Sequence, residues 1–207
     1  MEKLDLSKQY KAYYTATTKP ALVEIDAARY LSIVGKGDPS HPDYAATLQA
    51  LYATTYRLKF YYKAQKKDFV VAKLEGLWWF DEALYKDVSM ADAPVRIPRS
   101  EWHYRMLIRM PEYVTAEVVE QIRKEVVEKK QIALANQVGL YEMHEGKCVQ
   151  LLHIGPFDKE PESLQQLMQF SEANQLQKNG FHHEIYLSDF NKTAPEKLRT
   201  ILREPVK

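Results

Sequence analysis

Between residues 102 and 110 the chain alternates strictly: Trp102, Tyr104, Met106 and Ile108 fall on one face, His103, Arg105, Leu107 and Arg109 on the other, the period of a half-buried strand. Ala21–Ile25 and Arg29–Gly35 are two apolar-rich runs separated by Asp26-Ala27-Ala28, a spacing that predicts a hairpin. Gly35, Gly37, Pro39 and Pro42 then break the pattern, and Pro42 suits a first helical turn, where a missing amide hydrogen costs nothing. From Asp43 to Lys63 the spacing changes to three and four, with Tyr44, Leu48, Leu51, Tyr52, Thr55 and Tyr62 along one helical face. Phe69–Phe80 reads as a strand in which Gly76 marks a bulge or a close approach, and Asp81–Ser100 reads as a loop. Thr115 can cap a helix carrying Val119, Ile122 and Val126 that fades near Ala135.

The second half repeats this pattern. Displaced by 118 residues without a gap, Glu24 falls on Glu142, Arg29 on Lys147 and Gly37 on Gly155, which predicts a second hairpin from Leu140 to Ile154 turning at Gly146. With a two-residue slip, Leu48, Leu51, Tyr52 and Thr55 meet Leu164, Leu167, Met168 and Ser171 on another helix. A displacement of 79 lays His103–Arg109 on His182–Ser188, and this aligns Arg105 with Glu184. Thr193-Ala194-Pro195-Glu196 fits a capping box for a last helix, matching the Thr115-Ala116-Glu117 start in the first half. The expected architecture is α+β: two strand–helix–strand–strand units joined edge to edge about a pseudo-twofold axis, with a groove between them. The expected organisation is an N-terminal arm over residues 1–20, holding Tyr10, Tyr13 and Tyr14, and one domain over 21–207, its halves meeting near residue 135.

Composition narrows the functions. Lys and Arg number 29 against 28 Asp and Glu, a formal charge of +1, so nucleic acid is not an expected direct partner. The single Cys148 and a polar start without a signal-like apolar run point to a cytoplasmic protein, and no run is long and apolar enough for membrane insertion. Fourteen Tyr, 3 Trp and only 7 Gly suggest a ligand surface or a wet core.

Familiar catalytic constellations are missing. His182 and His183 are neighbours, so on a strand they point to opposite faces and cannot share a metal; no metal or cofactor is expected. No nucleophile elbow, dinucleotide loop or phosphate loop occurs. Glu184 stands out as a carboxylate inside an apolar strand, sharing a face with His182 and Tyr186 while His183, Ile185 and Leu187 take the other, the face expected to meet helices. It is either a desolvated carboxylate or counter-charge in a groove, or a solvated residue on an open sheet face. Three tryptophans with Tyr104, Tyr141 and Tyr186 on predicted strands favour a pocket that stacks flat ligands, because each polar tip needs a partner when buried.

The segments Leu74-Glu75-Gly76-Leu77-Trp78-Trp79, Trp102 to Pro111, and His183 to Asp189 with Thr193 to Leu198 resemble the GyrI-like small-molecule-binding family, over about Lys19 to Val206. The resemblance is to a stand-alone branch without the DNA-binding extension of multidrug-sensing regulators. It implies a duplicated fold with a groove, an acidic residue at Glu184 facing hydrophobic or cationic aromatic xenobiotics, and, in one subfamily, hydrolysis of cyclopropyl-bearing DNA-alkylating compounds in an aromatic cage. Trp78, Trp79, Trp102 and Tyr104 match that branch's aromatic motifs; Tyr104 stands where a second Trp is common, a departure that bears on catalysis. The implied roles are Glu184 as base and Tyr104 as proton donor, with Trp78, Trp79, Trp102, Tyr141, His182 and Tyr186 as ligand contacts. Binding without turnover, and a gyrase-inhibiting interaction of the kind the family name implies, are the alternatives.

Overall fold

The computed structural model describes residues 3–207; Met1 and Glu2, the start of the expected arm, lie outside the described residues. Its strands are β1 (Ala21–Ile25), β2 (Ala28–Lys36), β3 (Leu74–Trp79), β4 (His103–Arg109), β5 (Gly139–Met143), β6 (Gly146–Ile154), β7 (His182–Tyr186) and β8 (Arg199–Pro205). Among the described residues they form one eight-stranded sheet in the order β1-β6-β8-β7-β3-β4-β2-β5, with every neighbouring pair antiparallel. Exchanging β1–β4 for β5–β8 reverses this order onto itself, so a pseudo-twofold axis passes between β3 and β7. The duplicated α+β architecture is therefore present, and the displacement of 118 lays β1 on β5 and β2 on β6 end for end.

Several expectations need correction. Neither predicted hairpin forms: β1 pairs with β6 (Val23 opposite Cys148) and β2 with β5 (Tyr30 opposite Tyr141), so each half lends its first strand to the other. The link between β1 and β2 explains part of this, since neither Asp26 nor Ala27 takes the left-handed conformation that a tight hairpin turn requires. The counterpart of β7 is β3, not β4, so the displacement of 79 is a coincidence of pattern and Arg105 is unrelated to Glu184. The predicted last helix is a single 3-10 turn at Pro195–Lys197 followed by β8. Pairing on both sides, with β6 and β7, overrides the local capping signal.

Helix α1 (Leu6–Gln9) is one turn within the arm. Helices α2 (Pro42–Ala64) and α5 (Glu160–Ala173), one per half, cover a single face of the sheet. At the start of α2, Pro42 spends no amide hydrogen and the His41 ring accepts from the Asp43 N–H. The helix buries Thr47, Leu51, Thr54 and Leu58 against β2, β3 and β4. Short α3 (Ala93–Arg96) interrupts the segment read as loop. Helix α4 (Ala116–Lys130) packs beside α2; Thr115 caps it by accepting from the Val118 N–H, and it stops where Gln131 turns left-handed at φ 57°.

The opposite face, expected to meet helices, is instead covered at its centre by the arm. Tyr13 and Tyr14 pack with Ile25, Cys148, Ile185 and Ile201 and reach into a sealed polar cluster. There His183 contacts Glu145 through Nδ1 (2.9 Å) and Glu75 through Nε2 (3.1 Å), while Arg203 donates to Glu145 (3.1 Å), Gln150 (3.0 Å) and the Tyr13 carbonyl (3.0 Å). Tyr13 and Tyr14 donate to Glu75. Two carboxylates thus face an imidazole and a guanidinium, all buried. Burial alone would raise the Glu145 carboxyl, but the His183 charge and hydrogen bond, with Arg203, hold it at about 2. Breaking one partner of such a group leaves a buried charge uncompensated. Arg203→Met is accordingly expected to cost about 3–5 kcal/mol, read as a lower urea midpoint; an unchanged midpoint would show that the cluster is not a stabilising ion network.

Candidate ligand-binding site

The site lies on the helical face, over the pseudo-twofold axis. Between the sheet, α2 and α5 is a cavity of about 350 Å³, within the range of small-molecule pockets. Tyr44 of α2, Trp78 of β3, Trp102 just before β4, Tyr186 of β7, Phe157 from the 3-10 turn that precedes α5 and Phe190 from a loop form its aromatic walls. The segment joining β3 to β4 closes one side with Met90, Pro94 and Arg99, and Arg99 pairs with Asp38 at 3.7 Å.

Strand parity selects which residues reach the cavity. Gly76 pairs with Glu184 across the axis and Trp78 with His182, so Trp78, His182, Glu184 and Tyr186 share the helical face. Gly76 has a specific reason to lack a side chain: a Cβ there would lie 2.8 Å from Trp78 Nε1 and 3.1 Å from the Tyr186 hydroxyl. That space holds a hydrogen-bonded chain in which Trp78 Nε1–H donates to Tyr186 Oη (3.0 Å) and Tyr186 donates to Glu184 Oε2 (2.6 Å). Burial, then the Glu184 charge, push the Tyr186 phenol well above its ordinary value, so it stays a donor.

His182 stands beside Glu184 and is 1% exposed. Its Nδ1 meets Glu204 Oε1 of β8 at 2.6 Å, and its Nε2 lies 3.3 Å from Glu184 Oε1. That second contact is an ion-pair distance without hydrogen-bond alignment, and Nε2 has no hydrogen-bond partner among the described residues. Burial alone would lower the ring's pKa; the Glu204 charge and hydrogen bond, with the Glu184 carboxylate at ion-pair distance, outweigh it and push the ring up to about 10. Glu160, at the first turn of α5, is buried with Oε1 unpartnered among the described residues. Burial first, and the nearby Glu184 second, push its carboxyl well above the usual range, with His182 opposing. The cavity therefore holds a hydrogen-bonded carboxylate, an imidazolium and a neutral acid.

Of the residues predicted from sequence, Trp78, Trp102, His182, Glu184 and Tyr186 line this cavity together. Trp79 and Tyr141 do not, because they fall on the other strand parity. Trp79 stacks between His103 and Phe181, and Tyr141 lies under the Arg105 guanidinium at 4.2 Å. Arg105 is thus on that far face as well. Tyr104 shares the cavity's face but sits beneath it, 2% exposed, with its ring over Gly35 and its hydroxyl 3.3 Å from Thr47. It contacts the edge of Trp78 and Tyr44 and supports the walls from behind. Sequence reasoning missed Tyr44, Phe157, Glu160, Phe190 and Glu204. Glu160 sits in a polar-looking helix start, Glu160-Pro161-Glu162, and carries no signal of burial. Among the described residues no group of His, Cys, Asp and Glu is arranged to hold a metal ion, and no helix is long and apolar enough to cross a membrane.

A family model described as the GyrI-like small-molecule-binding domain matches residues 18–207. The chain belongs to the GyrI-like family. An uncharacterised conserved protein from Listeria innocua is 35% identical with a TM-score of 0.87, covering 99% of this chain and 100% of its own. A protein described as a hydrolase from Listeria innocua is 34% identical with a TM-score of 0.84, over 99% and 100% of the two chains. The C-terminal domain of EcmrR, 13% identical with a TM-score of 0.56 over 91% and 97%, shares the fold. No curated protein sequence matches the chain. Small-molecule binding is thus a property of the family to which this GyrI-like chain belongs.

The His182 ring titrates near 10 in the folded protein against an ordinary 6.5, so the folded state holds a proton that the unfolded state releases between those values. The stability His182 contributes is complete below pH 6.5 and is lost as pH rises through about 10. Urea unfolding across that range should show this alkaline decline, and Glu204→Gln should flatten it. Parallel profiles for the two proteins would refute the Glu204–His182 pairing.

Proposed function

We propose that the cavity binds flat, hydrophobic xenobiotics and hydrolyses cyclopropyl-bearing DNA-alkylating compounds, removing their reactivity. The observation that carries this reading is the pairing of one hydrogen-bonded carboxylate, Glu184, with one neutral buried acid, Glu160, inside a cavity otherwise walled by aromatic rings. A buried acid whose carboxyl is pushed above the usual range, set beside a hydrogen-bonded carboxyl group, is an arrangement suited to acid and base work at neutral pH. The likeness over the whole chain to a Listeria innocua protein described as a hydrolase supports it.

The chemistry follows from the ligand's structure. In a cyclopropane fused to a dienone, water attacks a ring carbon, the strained carbon–carbon bond breaks, and its electron pair passes through the conjugated system to the carbonyl oxygen. That oxygen takes a proton and the product is a phenol bearing a new hydroxyl group. Glu184 accepts the proton lost by the attacking water, and Glu160 is a cavity residue with a proton to give. Tyr104, buried under Trp78 and engaged with Thr47, supports the cage and is not the donor. Trp78 and Trp102 stack the planar ligand and exclude water that would otherwise compete.

The test is a single-turnover reaction with a cyclopropyl dienone, followed by phenol absorbance. Glu184→Gln is expected to slow ring opening about 100- to 10,000-fold, the range for loss of a general base. Trp78→Ala should weaken binding, and Trp79→Ala, on the opposite face, should leave the rate unchanged. Quenched tryptophan fluorescence without product would make the protein a sequestering or sensing module; neither quenching nor product would overturn the cavity reading.

A further inference from the structure

We propose a second binding site on the other face of the sheet, under the N-terminal arm: a cleft in which the guanidinium of Arg109 takes the carboxylate of a small, singly charged organic acid. It is separate from the cavity over the pseudo-twofold axis and does not depend on the chemistry proposed there.

The cleft, of about 470 Å³, has Leu6 and Tyr10 of the arm on one side and Ala28, Arg109 and Met110, near the ends of β2 and β4, on the other. Arg109 ends β4, and strand alternation turns it to the arm side with Leu107. It is 5% exposed. The Tyr10 ring covers its guanidinium at 3.8 Å and the Tyr13 ring at 4.8 Å. Aromatic faces occupy the plane of a guanidinium and leave its N–H edge to find acceptors. Arg203, equally buried, gives that edge to Glu145, Gln150 and the Tyr13 carbonyl. Among the described residues Arg109 makes no hydrogen bond and has no carboxylate at ion-pair distance, and its nitrogens keep access to the surface through the cleft.

The surrounding charges give it no counter-ion. Glu75 and Glu145 are matched by His183, which they push toward its protonated form, and by Arg203. Arg29, at the same cleft, is taken by Glu142 at 2.7 Å. Arg109 is the cation left over, and the Tyr13 ring it stacks on already carries Arg203 at 4.4 Å. A buried charge without a partner is costly, and an anion entering the cleft offsets that cost.

The cleft also selects among anions. A guanidinium fork matches a carboxylate with two parallel hydrogen bonds. Leu6, Ala28 and Met110 offer apolar surface to a compact hydrocarbon body, while Glu112 and Glu142, both exposed acids lining the cleft, repel a second negative charge. A monocarboxylate is thus favoured over sulfate or phosphate. Because Tyr10 and Tyr13 complete the site, the acid binds only the docked arm and stabilises it there.

The experiment is calorimetric titration of the full chain with cyclohexanecarboxylate, its neutral amide and sulfate. Wild type is expected to bind the carboxylate more tightly than either of the others. Arg109→Gln should lose about 10- to 100-fold, the value of hydrogen bonds from a charged donor. Glu142→Gln, at an exposed position that does not endanger folding, should bind about 2- to 5-fold more tightly as one repelling charge is removed. Trp78→Ala, in the other cavity, should bind the acid as wild type does. An amide bound as tightly as the acid, sulfate bound more tightly than the acid, no gain in Glu142→Gln, or no binding of the carboxylate at millimolar concentration would each overturn the assignment. A loss in Trp78→Ala would also overturn it, by placing the acid in the cavity over the axis. None of these outcomes bears on whether that cavity takes flat aromatic ligands.

Discussion

The pairing of β3 with β7 at the centre of the sheet is the constraint on which the rest depends. It joins the two halves, and its register sets Gly76 against Glu184 and Leu77 against His183. Because strand residues alternate between faces, that register sends Glu184, His182 and Trp78 to the helical side and Glu75 and His183 to the arm side. A slip of one residue would exchange the two sets and place an apolar isoleucine, Ile185, where the cavity needs its carboxylate. The adjacent histidines are the clearest expression of this, one belonging to the cavity and the other to a sealed ionic cluster a strand's thickness away.

The two faces treat buried charge differently. On the arm side every polar group of the cluster has its partners: His183 uses both nitrogens, Arg203 uses three, and Glu75 accepts from two tyrosines and an imidazole. Such a network rigidifies the sheet and offers nothing to a ligand. On the helical side the same residue types are left incomplete, with His182 Nε2 and Glu160 Oε1 lacking a hydrogen-bond partner among the described residues. The finished cluster supports the strand from which the unfinished one works.

Much of this was legible in the sequence, for identifiable reasons. The ungapped repeat between the first strands of each half reflects a real symmetry, so α+β duplication could be read from spacing, and the sharing of one face by His182, Glu184 and Tyr186 from strand alternation. The parity of Trp78 against Trp79 could not, since adjacent indoles look alike until a neighbouring strand fixes the register. Helical burial was equally hidden: nothing local distinguishes Glu160 from the exposed Glu162, because the groups beside it, Glu184 and His182 of β7, come from elsewhere in the chain. Glu75 carried the same signal as Glu184, a carboxylate inside an apolar strand, and it marks the other polar cluster. The C-terminal strand was obscured by a strong local capping pattern that long-range pairing overrules.

The exchange of first strands between halves has a consequence for how the molecule comes into being. During synthesis, β1 leaves the ribosome long before β6, its lateral neighbour in the sheet, and β2 waits similarly for β5. The first half therefore cannot complete its own sheet, and its open edges stay unpaired until more than a hundred further residues have been made. Distant pairings of this kind raise the entropic cost of the folding nucleus and slow its formation. The geometry that makes the two halves inseparable in the finished protein also makes the nascent chain dependent on its own completion, with transient strand edges that are the natural targets of chaperones or of another unfinished copy.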